Sequence, residues 1–193
     1  MILVAAVAVS VLVALLRGGR LTRLADLRIE HAWAVLAALA LQLPVVYLLV
    51  GEKAIGGLSL GHLVLAASYA LLFWVVWANR RLPGLPLVGL GLVCNSLVMA
   101  LNGGWMPITA EAVARLEYPI EAPPSGAPIK LRGGKNVLLP RSQTRLWWLS
   151  DVFVLGPPFP VVGAFSIGDL LIAAGIFWLL QWALVAPRRV DSG

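Results

Sequence analysis

Residues 147–175 read WWLSDVFVLGPPFPVVGAFSIGDLLIAAG, and the reading of this stretch decides the fold. Its only charges are Asp151 and Asp169, set in mostly apolar sequence. Pro157-Pro158-Phe159-Pro160 separates them, and after Asp169 the chain enters a long hydrophobic segment. A carboxylate beside hydrocarbon is costly, so one that is kept there is by default a functional-site candidate. The run from Val152 to Phe165 is charge-free but broken by three prolines, which is too broken for a spanning helix. It predicts an interfacial or re-entrant segment, a conformation tolerated at membrane depth only where protein or a water-filled cavity covers the backbone. A cavity next to Asp151 and Asp169 is therefore expected.

Working outward, the rest of the chain has the same character. Its 193 residues are 60% hydrophobic and 12% charged, against about 25% charged in soluble domains. Apolar runs fall at 1–16, 32–50, 62–77, 87–101 and 167–185. The expectation is an all-α polytopic membrane protein, a single integral membrane domain over 1–193 with about five transmembrane helices. The first run has no basic start and no small-residue cleavage site, so it reads as an uncleaved helix. Pro44 predicts a kink in the second, with Gln42 serving the freed backbone. Trp74 and Trp77 close the third as an interface belt. One long extracytoplasmic excursion, 102–166, interrupts the pattern.

The net charge of +6 is distributed by side. The loop after the first run, the loop between the third and fourth, and the C-terminus hold eight basic residues against three acidic ones. The other side holds seven against six. Lys and Arg mark the cytoplasmic side of short loops, so the N-terminus is expected outside and the C-terminus in the cytoplasm. No arginine-rich run interleaved with aromatics occurs, which sets nucleic acid aside. Cys94 is the single cysteine, so no disulfide within the chain and no paired-cysteine metal motif is available. No cofactor motif and no metal site are expected.

Within the excursion, Thr109 can cap a short helix over Ala110–Tyr118, with Glu111 in its first turn. Ile129–Arg132 and Lys135–Leu138 flank Gly133-Gly134 and predict a small hairpin. Its basic residues Lys130, Arg132 and Lys135 read first as a solvated loop. Asp151 and Asp169 form the candidate catalytic pair, because two carboxylates facing one water share a proton and can divide acid and base work between them. Asp169 has a local reading too, since Ser166-Ile167-Gly168-Asp169 is patterned like a capping box. Asp151 has the alternative of pairing with Arg145. Asn102, Trp105 and Ser166 are the candidate substrate-binding residues. The Asn102 amide could donate to a substrate carbonyl, although Asn102-Gly103-Gly104 also fits a helix C-cap. Asn95 lies inside the fourth run, where a polar side chain most often bonds across helices. His31 and His62 fall on opposite faces of this layout and cannot share a metal.

Two resemblances attach to these residues. Asn102-Gly-Gly-Trp-Met-Pro, Thr144-Arg-Leu-Trp-Trp-Leu-Ser-Asp151 and Phe165-Ser-Ile-Gly-Asp169 together resemble a group of bacterial membrane proteins, domain of unknown function 5317, over nearly the whole chain. That resemblance implies a bacterial inner-membrane location and no particular activity. The C-terminal third is similar to signal peptidase II, in which an aspartate follows an apolar stretch and a Phe-Asn-x-Ala-Asp motif opens the last helix. Asp151 and Phe165-Ser-Ile-Gly-Asp169 match those parts, with Ser166 in place of the motif asparagine. This second resemblance implies catalytic aspartates at Asp151 and Asp169.

Two functions follow as expectations. One is an aspartyl-type intramembrane hydrolase acting at the outer face on a lipid-linked or membrane-inserted substrate. The other is a non-enzymatic membrane subunit, whose excursion binds lipid or a partner in a larger membrane complex. A transporter is disfavoured by the absence of an internal repeat and of paired interrupted helices.

Overall fold

The computed structural model describes residues 2–47, 59–116, 129–131, 135–156 and 162–185. The described chain is mostly helical, and its long helices follow the apolar runs. They are α1 Ile2–Leu16, α2 Ala32–Tyr47, α3 Leu60–Ala78 and α4 Leu85–Leu101, with a last long helix at Ile167–Val185. Between α4 and that last helix lie β1 Met106–Ile108, α5 Ala110–Ala114, β2 Ile129–Lys130, β3 Asn136–Leu138, β4 Phe153–Leu155 and β5 Gly163–Phe165. The last helix is α6.

Local chemistry sets the helix ends. The α3 start is closed by Ser59, whose N–H donates to His62 Nδ1 at 3.1 Å. At its other end Asn79 donates to Val75 O at 2.8 Å and to Glu30 O at 2.9 Å, and accepts the Glu30 N–H at 2.8 Å. One amide thus ends α3 and pins the loop before α2. Gly84, at φ +83°, turns the chain into α4, with Pro86 in the first turn where a missing N–H costs nothing. Pro44 lies inside α2. Gln42 does not serve the backbone there; its amide donates to Ser68 Oγ on α3 at 3.0 Å.

Helix α6 is the axis of the bundle, packed along α4 and against α1, while α2 packs on α3. The α4–α6 seam is built on glycines in antiparallel register. A Cβ on Gly84 or Gly175 would strike the other residue's carbonyl oxygen, and Gly91 meets Gly168 in the same way. Small residues let helix backbones approach this closely. The core then continues out of the helices, from Leu65, Leu92, Val98, Met99 and Ile172 to Trp105, Met106 and Val137.

The expected hairpin forms, with Ile129 opposite Leu138 and Lys130 opposite Val137. Its turn, 132–134, lies outside the described residues. A third strand was not foreseen. β1 pairs parallel with β3, Met106 to Asn136 and Ile108 to Leu138, giving the order β1-β3-β2. Pro107 is tolerated because β1 is an edge strand. The capped helix α5 is present, with Thr109 Oγ1 accepting the Ala112 N–H at 3.2 Å. It ends at Ala114, and residues 117 and 118 of the longer helix expected lie outside the described residues. The segment expected to be interfacial or re-entrant carries two short strands, and residues 157–161 between them lie outside the described residues. β4 and β5 pair antiparallel, Phe153 to Phe165, so the backbone on either side of the prolines satisfies itself.

α3 and α6, at 19 residues each, are long and apolar enough to cross a membrane, and only 28% and 33% of their apolar windows are buried. α1, α2 and α4 are also apolar but have 15, 16 and 17 residues, short of the roughly 20 of a typical span.

Candidate functional site

The first turn of α6 builds half of the site. Ser166 Oγ accepts the Asp169 N–H and Asp169 Oδ2 accepts the Ser166 N–H, each at 3.1 Å. This is the reciprocal cap that the spacing predicts, with a carboxylate where the helix dipole favours one. Asp169 then does more than cap. Its Oδ1 accepts from Asn95 Nδ2 at 2.9 Å, and Asn95 Oδ1 accepts from Ser166 Oγ at 2.8 Å. The ring closes because α4 and α6 touch here, with Gly168 lying against the Asn95 side chain.

The other half comes from the sheet. Asp151 follows a short 3-10 turn, Trp147–Leu149, and its N–H donates to Pro107 O of β1 at 3.2 Å. Oδ2 accepts from Asn136 Nδ2 of β3 at 2.6 Å. The residue is 4% exposed, and its buried Oδ1 has no hydrogen-bond partner. Lys135 precedes β3, held by its carbonyl accepting the Met106 N–H at 3.0 Å. Its ammonium does not turn to solvent. It donates to the Tyr69 hydroxyl of α3 at 3.0 Å and lies 5.7 Å from the centre of that ring.

The three charged groups act on one another. Burial pushes the Asp151 carboxyl up to about 6. The positive charge of Lys135 and the Asn136 hydrogen bond oppose that rise, and the Asp169 carboxylate adds to it. Burial alone would lower Lys135, but Tyr69, Asp169 and Asp151 outweigh it and hold the ammonium above its usual range. A buried carboxyl whose pKa is raised toward neutrality can hold a proton and give it up.

The predicted residues sort unevenly. Ser166 and Asp169 share one cap, Asp151 is joined to Asp169 only through the influence of its charge, and Asp151 takes Asn136 rather than Arg145 as its hydrogen-bond partner. Asn102 Nδ2 donates to Val98 O at 2.7 Å and to Arg145 O at 2.8 Å, and Oδ1 accepts the Arg145 N–H at 2.8 Å. Both amide hydrogens are spent on clasping the end of α4 to the chain at Arg145. Trp105 is 0% exposed and packs its ring 4.8 Å from that of His62. His62 Nε2 lies 2.6 Å from Gly103 O, and its ring leaves no room for a side chain at Gly104 (φ +86°). At the far end of α3, His31 stacks on Trp74 at 4.3 Å. Among the described residues no cluster of three His, Cys, Asp or Glu side chains could hold a metal.

Sequence reasoning missed Lys135, Tyr69 and Asn136 as members of the site. Asn95 carried a signal, as a lone amide in an apolar run. Lys135 carried none, because a basic residue after a glycine turn reads as solvated.

Residues 26–181 match the family of unknown function DUF5317, and the chain belongs to that family. A protein of Thermotoga maritima, described only as uncharacterized, is 26% identical over 120 residues. That alignment covers 60% of this chain and 61% of the relative, so the chain spans about three fifths of its length. No solved structure matches the chain. The likeness to signal peptidase II finds no support in these comparisons.

Proposed function

We propose that this protein is a five-span bacterial inner-membrane protein with an aspartyl-type hydrolase site at its outer face. Its substrate would be lipid-linked or membrane-inserted. The membrane reading draws on apolar side chains left open on all five long helices, such as Val4, Leu36, Leu60, Leu90 and Trp178. Surface of that extent needs lipid or a partner to cover it. In this reading the N-terminus lies outside and the C-terminus in the cytoplasm, which the excess of Lys and Arg in the short loops supports.

The observation that carries the hydrolase reading is Asp151: a buried carboxyl near neutral pKa, one oxygen unpartnered, under the influence of a second carboxylate. In the proposed step Asp169 takes a proton from water as the water oxygen bonds to the substrate carbonyl carbon. The carbonyl electron pair moves onto oxygen. When it returns, the bond to the leaving group breaks and Asp151 supplies the proton that group needs. Asp169 then returns its proton to Asp151, so atoms and charge balance.

The test is cleavage of a dye-quenched, diacylglyceryl-modified peptide by the protein in liposomes. Asp151→Asn keeps size and shape, and turnover should fall at least about 100-fold, a common share for one acid–base group. Undiminished turnover by a folded Asp151→Asn protein sinks the reading. The ring of Asp169, Ser166 and Asn95 favours the second reading, an accessory subunit whose polar groups serve the fold. Co-purification with a larger complex, with no cleavage, is its expected result. Orientation is tested by labelling single cysteines in a Cys94→Ser background. A cysteine at Arg141 should react with an impermeant maleimide from outside, and one at Arg20 only after permeabilisation.

A further inference from the structure

We propose that Lys135 is the positioning residue of this site: its ammonium, anchored on the Tyr69 hydroxyl, decides which of Asp151 and Asp169 carries the proton. The sequence places Lys135 on a hairpin that should be wet, and the structure turns it inward. Three placements carry the argument. The Lys135 nitrogen is 3.0 Å from the Tyr69 oxygen. The next residue, Asn136, fixes Asp151 Oδ2 at 2.6 Å, so the lysine adjoins in sequence the residue that holds the acid. Asp151 Oδ1 is buried without a hydrogen bond, which leaves a charge rather than a donor as its stabiliser.

The other groups facing Asp151 are accounted for. Asp169 from α6 disfavours its ionisation, and Asn136 from β3 favours it. Asp169 is held by two donors of its own, the Ser166 N–H and the Asn95 amide, and by none from Lys135. Asp151 is thus the carboxyl whose protonation is open to control. An ammonium has three donors. Tyr69 takes one, and the positive charge then favours the ionised form of whichever carboxylate it approaches. Movement of Lys135 toward Asp151 would release the Asp151 proton, and movement away would restore it. In the hydrolytic step, which rests on the reading above, Lys135 would time the hand-over to the leaving group. Its control of Asp151 stands without that reading.

The experiment is an infrared titration of the protonated carboxyl band in the full-length protein in nanodiscs. The Asp151 band is the one that Asp151→Asn removes. Lys135→Met should raise its midpoint by about one unit or more, roughly a tenfold gain in proton affinity, as expected for losing a positive charge that favours the ionised carboxyl. Lys135→Arg should return the midpoint to within a few tenths of a unit of wild type, while Tyr69→Phe, which frees the ammonium, should raise it by a smaller amount. An unchanged midpoint in Lys135→Met overturns the proposal, and so does Lys135→Arg behaving like Lys135→Met. If Lys135→Met does not fold, Tyr69→Phe carries the test, with a raised midpoint in support and an unchanged one against. No substrate is needed. A shifted midpoint with no peptide cleavage by wild type overturns the hydrolase alone. Asp151-dependent cleavage with an unshifted midpoint overturns the role of Lys135 alone.

Discussion

The two ends of α6 are built by the same rule and finish differently. At its C-terminal end Gln181 donates to Ser10 O at 2.8 Å and accepts from Arg17 at 2.8 Å, and the Leu184 carbonyl takes Arg23 at 2.9 Å and the Arg20 N–H at 3.2 Å. Cations at a helix C-terminus and exposed carbonyls given donors are what capping requires. At the N-terminal end Asp169, Ser166 and Asn95 complete a cap just as fully. Capping explains the whole of the first end. At the second it leaves over Asp151, with a partnerless buried oxygen, and Lys135, an ammonium turned inward. Stability alone does not call for that remainder, and it is where function is to be sought.

Four changes test whether the ends differ in this way. The largest effect should come from the seam both ends share. Gly175→Val would push a branched side chain into the Gly84 carbonyl and Val88. Backbone cannot yield as a side chain can, so a loss of about 3 kcal/mol is expected. Thermal denaturation would measure it, and Cys94 on α4, the only cysteine, should react faster with maleimide. If the mutant melts like wild type, α4 and α6 are not locked through glycine and the two ends are independent.

The second effect is specific to the Asp151 end. Its carboxyl stands at about 6 in the folded protein against an ordinary 3.8. The folded state therefore binds the proton more tightly than the unfolded one. The stabilisation is complete below about pH 4 and is lost as pH rises through 6, on the order of 2–3 kcal/mol in all. Melting temperatures of wild type should fall between pH 4 and 7, while Asp151→Asn should lack that component. Equal slopes in the two proteins would mean that Asp151 is satisfied after all.

The third separates the two acids. Asp169→Ala removes acceptors from the Ser166 N–H and from Asn95, and leaves the Asn95 amide short of a partner. A loss of about 2 kcal/mol follows at any pH where the carboxylate is ionised. Asp151→Asn at pH 7 should cost nothing, or stabilise, since it replaces a poorly paired buried charge. The opposite order would make Asp151 the structural acid and Asp169 the one to study.

That contrast also shows what a single sequence could reveal. The helices were legible because hydrophobicity runs over whole segments: 167–185 matches α6, and 62–77 and 87–101 fall within α3 and α4 by two residues or fewer at each end. The Ser166–Asp169 cap was legible because its partners are three residues apart, and so was the hairpin across its glycines. Lys135 to Tyr69 spans 66 residues and Asn95 to Asp169 spans 74. Contacts at that range are chosen by packing, here by a glycine seam and a parallel β1–β3 pair, and no local pattern announces them. The capping motif at Asn102-Gly103-Gly104 was visible, but not that His62 would fill the space over Gly104.

The smallest effect belongs to the C-terminal end. Arg17 is exposed, and its bond to Gln181 is one of two that the amide makes; Ser10 O keeps the other. Arg17→Met should therefore cost only about 0.5 kcal/mol by thermal denaturation, the usual worth of an exposed polar tie. The size of this loss matters less than its character. An exposed arginine acting as a cap should lose its contribution gradually with salt and show no pH dependence between 4 and 7. A loss near that of Asp169→Ala, or one that followed pH, would place a second charge-sensitive site on α6 and end the asymmetry between its two termini.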